Sequence, residues 1–195
     1  MGLENMHHSV INFVRRNLSR AEKNAASVLD VGSYDVNGSM RTEFGSAAEY
    51  LGIDVRSGPN VDLRIDLAGG PVLPPCEYPL LSGWKRQRPW DIVLCLNTLE
   101  HARDWRGLVN GIKSVCRPGG VILLTVPSPG YPIHEEPDYW RFTTEDVRKM
   151  FSECELLAIR DDPAHPGVFV KVRVPEVIKE VPTDFDIYSM SGSNG

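Results

Sequence analysis

Acids and a histidine recur in this sequence where apolar runs end. Asp30-Val31-Gly32 closes the run that begins at Ser27, Asp54 closes a second, and Asp66 a third. Asn97-Thr98-Leu99-Glu100-His101 follows a fourth. If these runs are parallel strands of one sheet, the acids at three successive strand ends face the same edge. Unpaired carboxylates are costly to desolvate, so such an edge suits a ligand with hydroxyls, an amine or a positive charge. Asp54 lies 22 residues beyond Gly32, the spacing at which an acid reaches both hydroxyls of a ribose. Taken singly, a strand-end Asp is more often a cap or turn former than a ligand. Their joint placement is what points to a nucleoside-like cofactor.

Two places offer a general base. His101 stands just beyond the fourth run, near the expected sheet edge, and an imidazole accepts a proton near neutrality. It reads equally as a cap at the entry to a helix beginning at Asp104. The second is Pro132-Ile133-His134-Glu135-Glu136-Pro137-Asp138-Tyr139-Trp140-Arg141-Phe142. There His134, Asp138 and Tyr139 could orient a hydroxylated acceptor, with Trp140 as a stacking floor. The structural alternative makes Trp140 and Phe142 core anchors and pairs Arg141 with Glu135 or Asp138. His165 falls in an expected turn and is assigned no catalytic role. Cys76, Cys95, Cys116 and Cys154 are scattered without a CxxC pair, and no cluster has metal-ligand spacing, so reduced thiols and no required metal are expected.

The elements that must position these residues alternate in type. Val10, Phe13, Val14 and Leu18 recur at helical spacing and predict an amphipathic helix over about 9–24. Strands are expected at Ser27 to Gly32, about Glu49 to Asp54, Val61 to Asp66, Asp91 to Leu96 and Val121 to Val126. Asn37-Gly38-Ser39 offers helix-start chemistry before Met40, and Asp104 to Cys116 reads as a helix stopped by Pro118-Gly119-Gly120. Thr143-Thr144-Glu145-Asp146 opens a short helix to about Phe151. Glu155 to Ile159 and Gly167 to Val174 read as a last strand pair. The proline-rich stretch Ala68 to Trp90 reads as a long loop. Together these predict an α/β, doubly wound, mostly parallel seven-stranded sheet ending in an antiparallel strand pair, one domain over 1–174. A tail over 175–195 is expected to be partly disordered, from Ser189 onward.

With 195 residues, 42% hydrophobic and 24% charged, the chain has the make-up of an ordinary soluble domain. A net charge of −5 argues against a nucleic-acid partner held mainly by phosphate contacts, and Arg15, Arg16 and Arg20 read as a solvated helix face. No apolar run is long enough to cross a bilayer and no signal-peptide core opens the sequence, so no membrane and a cytoplasmic location are expected. The oligomeric state does not follow.

Several of these segments carry a resemblance. Val28-Leu29-Asp30-Val31-Gly32, Tyr50-Leu51-Gly52-Ile53-Asp54, Asp91-Ile92-Val93-Leu94 through Leu99-Glu100-His101, and Arg117-Pro118-Gly119-Gly120 resemble class I S-adenosylmethionine-dependent methyltransferases, in the family's order and roughly its spacing. The likeness spans about Ser27 to Val174 and is similar to the type 11 branch. It implies S-adenosylmethionine as cofactor and methyl transfer, and with the residues of the Pro132 to Phe142 loop the expected acceptor is a small hydroxylated molecule, such as a sugar. It also implies roles around that donor: Gly32 beside the methionine portion, Asp54 at the ribose hydroxyls, Asp66 and Leu67 at the adenine, Asn97 and Thr98 at the methionine end, with Asp30, Ser33, Tyr34 and Val55 among the cofactor-binding residues. Tyr34 and Val36 stand where the family's loop has its second and third glycines, so Tyr34 is expected to pack on the donor or shield it. A dinucleotide would need the GxGxxG pyrophosphate seat that this loop lacks. The rival reading is a non-catalytic nucleoside-binding module.

Overall fold

Apolar segments rich in Val, Ile and Leu form the strands of the computed structural model, which describes residues 4–25, 27–34, 39–44, 49–69, 90–133 and 135–190. They are β1 (Ser27–Val31), β2 (Glu49–Asp54), β3 (Leu63–Arg64), β4 (Trp90–Leu96), β5 (Cys116–Pro127), β6 (Trp140–Arg141), β7 (Glu155–Asp161), β8 (Gly167–Arg173) and β9 (Tyr188–Ser189). Seven of them make one sheet in the order β3-β2-β1-β4-β5-β8-β7. The first five of that order are mutually parallel, and β8 runs antiparallel to both β5 and β7. This is the doubly wound α/β sheet expected from the sequence. β6 and β9 pair apart from it, antiparallel.

The chain winds outward from β1 through β2 to β3, then returns and winds the other way from β4. Val31 pairs with both Ile53 and Cys95, so the carboxyl ends of β1, β2 and β4 are level where strand order reverses. A crevice opens there in folds of this kind.

Helices cover both faces, as parallel strands buried on two sides require. On one face α1 (Glu4–Asn17) packs Val10, Phe13 and Val14 against Val28, Ile92, Leu94, Leu123 and Phe169. The single helix expected over 9–24 is in fact two. α2 (Arg20–Ala25) starts anew because Ser19 and Glu22 cap each other: the Glu22 N–H donates to Ser19 Oγ (3.2 Å) and the Ser19 N–H to Glu22 Oε2 (2.7 Å). On the other face α3 (Trp105–Val115) is capped by Asp104, which accepts the Gly107 N–H at 2.8 Å, and buries Trp105, Leu108, Val109, Ile112 and Val115. α4 (Thr144–Met150) begins with a reciprocal Thr143–Asp146 capping box.

Four expectations are corrected. The third strand shrinks from 61–66 to Leu63–Arg64, because the Asp62 carboxylate takes the Gly52 N–H (2.7 Å) in place of a ladder bond. The segment after Ser39 forms one 3-10 turn, Met40–Glu43. Arg117 to Gly120 is both turn and strand: pairing jumps from Trp90–Cys116 to Ile92–Val121, so the residues between bulge out of β5. Most notably, the chain beyond 174 does not fade. Val181 and Ile187 are buried in the core, the Val181 N–H donates to Asn110 Oδ1 (2.9 Å), and β9 pairs with β6. Lys113, fully buried, fastens this segment by donating to Lys179 O, Met150 O and Glu153 Oε1, each at 2.9 Å. Ser191 to Gly195, residues 70–89 of the proline-rich stretch, with Cys76, and 35–38 beyond Tyr34 lie outside the described residues. Among the described residues no helix is long and apolar enough to cross a membrane.

Candidate active site

At the level carboxyl ends of β1, β2 and β4 lies a cavity of about 1000 Å³. All ten residues expected at the cofactor line it: Asp30, Gly32, Ser33, Tyr34, Asp54, Val55, Asp66, Leu67, Asn97 and Thr98.

The floor is set by the turn out of β1. Gly32 has φ +80°, and a Cβ there would lie 2.1 Å from Thr98 Oγ1, so only glycine fits. Its N–H and that of Ser33 both donate to Ile53 O, at 2.9 and 3.0 Å, tying this turn to the end of β2. Thr98 Oγ1 donates toward Val31 O (3.3 Å) and Leu96 O (3.1 Å), closing the β4 side. Asn97 holds a left-handed φ of 50°, with its N–H given to Thr125. The Ser33 hydroxyl is buried and makes no hydrogen bond among the described residues.

Asp54 ends β2, 8% exposed. Its Oδ1 accepts the Arg56 N–H at 2.7 Å and its Oδ2 the Tyr34 N–H at 3.4 Å, with Arg56 Nε 3.6 Å away. Asp30 is buried within β1 and accepts the Tyr50 hydroxyl. Burial pushes its carboxyl up to about 6, the Tyr50 bond pulling back part of the way; the Tyr50 hydroxyl is itself raised by burial and by Asp30 beside it. Asp66 is exposed at the cavity margin and accepts the Ala68 N–H at 3.0 Å.

Tyr34 covers the rim. Its ring sits against Gly58, where a Cβ would come within 2.2 Å of Cε2, and the Arg56 guanidinium stacks over it at 4.3 Å. Arg56 also pairs with Glu135 at 2.9 Å, bridging the β2 end to the loop after β5. Sequence reasoning missed Arg56; its place two residues after Asp54 was the available signal.

His101 lines the same cavity from a 3-10 turn, Leu99–His101. Its Nδ1 lies 2.6 Å from Pro137 O, and since a carbonyl only accepts, Nδ1 carries the hydrogen. The neutral ring therefore keeps its basic lone pair on Nε2. Glu100 behind it is fully buried, which an acid at a strand end did not announce.

The loop Pro132 to Phe142 is built largely for architecture. Arg141, fully buried, grips both oxygens of Asp138, with Nη2 to Oδ2 at 2.8 Å, and donates to Tyr131 O (3.0 Å) and Pro132 O (3.1 Å). Trp140 is no stacking floor: its indole N–H donates to Ala102 O (2.9 Å) and it packs on the core, where Phe142 is wholly buried. Tyr139, expected to be catalytic, is not among the residues lining the cavity. Its backbone donates to Glu100 O (2.8 Å) and accepts the Met190 N–H (2.8 Å), and its ring lies beside Trp140. His134 lies outside the described residues.

Residues 3–162 match a family described as a methyltransferase domain. No curated protein matches the sequence. Among solved structures, the chain is similar to the Burkholderia thailandensis 1,6-didemethyltoxoflavin-N1-methyltransferase bound to 1,6-didemethyltoxoflavin and S-adenosylhomocysteine (TM-score 0.60, 14% identity, 85% of this chain and 78% of that one). It is also similar to Haemonchus contortus phosphoethanolamine N-methyltransferase 2 with S-adenosyl-L-methionine (0.58, 13%, 89% and 53%) and to the [4+2]-cyclase SpnF (0.59, 14%, 85% and 80%). At such identities the likeness speaks for the fold, while the family match covers most of the sequence: the chain belongs to the methyltransferase-domain family.

Proposed function

We propose that this enzyme methylates a hydroxyl of a small acceptor, a sugar being the class to try first, with His101 as the base. The observation that carries this reading is that one cavity contains both the Gly32–Asp54–Thr98 edge and His101, whose ring is oriented by Pro137.

The residues fit the family's donor. Asp54 has lone pairs left after its two backbone bonds, and the Ser33 hydroxyl is buried without a hydrogen bond, so both can meet hydroxyl or amine groups. In this reading Asp54 and Val55 hold the ribose and Asp66 and Leu67 border the adenine. Asp30, Gly32, Ser33, Asn97 and Thr98 take the methionine portion, and Tyr34 covers it. Bound there, the donor supplies a methyl already activated on a sulfonium. The protein's part is then alignment, which is worth several kcal/mol, and removal of one proton. His101 Nε2 takes the acceptor's hydroxyl proton as its oxygen gains the methyl.

The experiment is transfer of labelled methyl from S-adenosylmethionine to a panel of small hydroxylated compounds, comparing wild type, His101→Ala and His134→Ala. His101→Ala should lower turnover roughly 10²–10⁴-fold while donor affinity stays within about twofold. Full turnover in a folded His101→Ala protein would remove the base from the mechanism.

A further inference from the structure

Among the described residues, Glu100 behind the site is a buried carboxylate for which the fold offers no use. It is 0% exposed, and among the described residues neither side-chain oxygen has a hydrogen-bond partner on another residue; only its own backbone N–H helps to favour the charge. A buried carboxyl in that state destabilises the protein, and an apolar residue of similar volume would serve packing better. The nearby Arg141 guanidinium favours the charged form only through space, since its hydrogen bonds go to Asp138 and to the carbonyls of Tyr131, Pro132 and Trp140. What does face it is His101, whose Nε2 lies 3.8 Å from Glu100 Oε1. One short segment locks the two together: Pro137 O receives the His101 Nδ1–H, and the Tyr139 N–H is given to Glu100 O.

We infer that Glu100 is a positioning residue for His101, its buried carboxylate supplying the counter-charge to the imidazolium formed when Nε2 takes the acceptor's proton. The inference rests on His101 as the base. The proton passes from the acceptor oxygen to Nε2, the methyl bond forms at that oxygen as the sulfonium bond breaks, and the pair ends as carboxylate and imidazolium. Glu100 never touches acceptor or donor.

The surroundings suit the role. Besides His101, the titratable groups around Glu100 are Cys95 on β4, Asp138 and Arg141 on the far loop and strand, and Tyr131, with Asp162 bordering the same small hollow. Burial pushes the Glu100 carboxyl up to about 7, with His101 pulling it down. At 3.8 Å, carboxyl and imidazole are close enough to form an electrostatically coupled pair.

Histidine-detected NMR titration tests this without any acceptor, with the His101 signal assigned by its absence in His101→Ala. In the wild type the His101 resonance should titrate in two steps. In Glu100→Gln its pKa should fall by about one unit, the low end expected when a close opposite charge is removed. The acid limb of the turnover profile should move to lower pH by the same amount, with maximal turnover down about tenfold and donor affinity unchanged. A one-step wild-type titration near the ordinary histidine value overturns the inference, as does an unmoved His101 pKa in folded Glu100→Gln. Should that variant not fold, Glu100→Leu carries the same titration, and the wild-type curve stands without either. Full turnover in His101→Ala beside an intact two-step titration would instead refute the base and leave the coupling standing.

Discussion

Replacing Asp54 by alanine should weaken donor binding by two to four orders of magnitude. The carboxylate has about four lone-pair positions. One is committed to the Arg56 N–H at 2.7 Å and another loosely to the Tyr34 N–H at 3.4 Å, which leaves two to face the cavity, where a ribose has two hydroxyls. Hydrogen bonds to a charged acceptor contribute roughly 1.5–3 kcal/mol each, so losing both amounts to about 3–6 kcal/mol. The upper end is reached only if the cavity excludes water once filled, and 8% exposure of Asp54 argues that it does. Asp54→Asn should fall between wild type and Ala. Its one remaining oxygen is claimed by the Arg56 N–H, and the amide then turns a donor toward the ribose. Calorimetric titration with S-adenosylmethionine and its demethylated product reads both variants directly, with circular dichroism to confirm folding. An unchanged dissociation constant in folded Asp54→Ala would take Asp54 out of the donor site.

Tyr34→Ala should weaken donor binding several-fold through loss of the ring that lies between Gly58 and Arg56; unchanged affinity in the same titration would mean that the ring only props Arg56. Stability should fall as pH rises from about 5 to 8. Burial raises Asp30 to about 6 and Glu100 to about 7, so between the unfolded and folded values the native state holds more protons than the unfolded chain, and that stabilisation is lost as the two ionise. Between pH 5 and 8 the two losses sum to about 4 kcal/mol, or roughly 8–16 °C in a scanning-calorimetry midpoint. A midpoint that is flat or rises over that range contradicts the burial of both groups, and Asp30→Asn with Glu100→Gln should flatten the slope.

Much of this arrangement is legible in the sequence because parallel strands covered on both faces must be continuous apolar runs. Their ends are then marked by the first polar residue, which is how Asp54, Gly32 and Asn97 fall at one edge before any coordinates exist. Asp104 and Thr143 announce helices by local chemistry and are read as easily. What stays hidden is burial of charge, since it depends on partners far along the chain. Lys113 looks like the solvated side of an amphipathic helix, yet three acceptors from elsewhere enclose it. Tyr50 shows no sign of reaching Asp30, nor Glu100 of standing out of water. The loop Pro132 to Phe142 reads as catalytic because charged and aromatic residues crowd there, and in the fold most of that crowding is the Arg141 clasp. The segment past residue 174 lacks periodicity because it is a strap held by side chains of α3.

The insertion of β8 between β5 and β7 bears on how the protein is made. Synthesis runs from the amino end, so β5 emerges with one long edge already paired to β4 and the other open. β7 follows, but its sole sheet neighbour among the described residues is β8, and it has nothing to pair with until residues 167–173 are made. Until then the nascent chain presents an apolar strand edge of the kind that seeks foreign partners. β8 then covers β5 over seven residue pairs and captures β7 on its far side. The strap through β9 follows β8 along the chain. The interval in which this sheet is exposed to misassociation on the ribosome is thus set by the distance along the chain between β5 and β8.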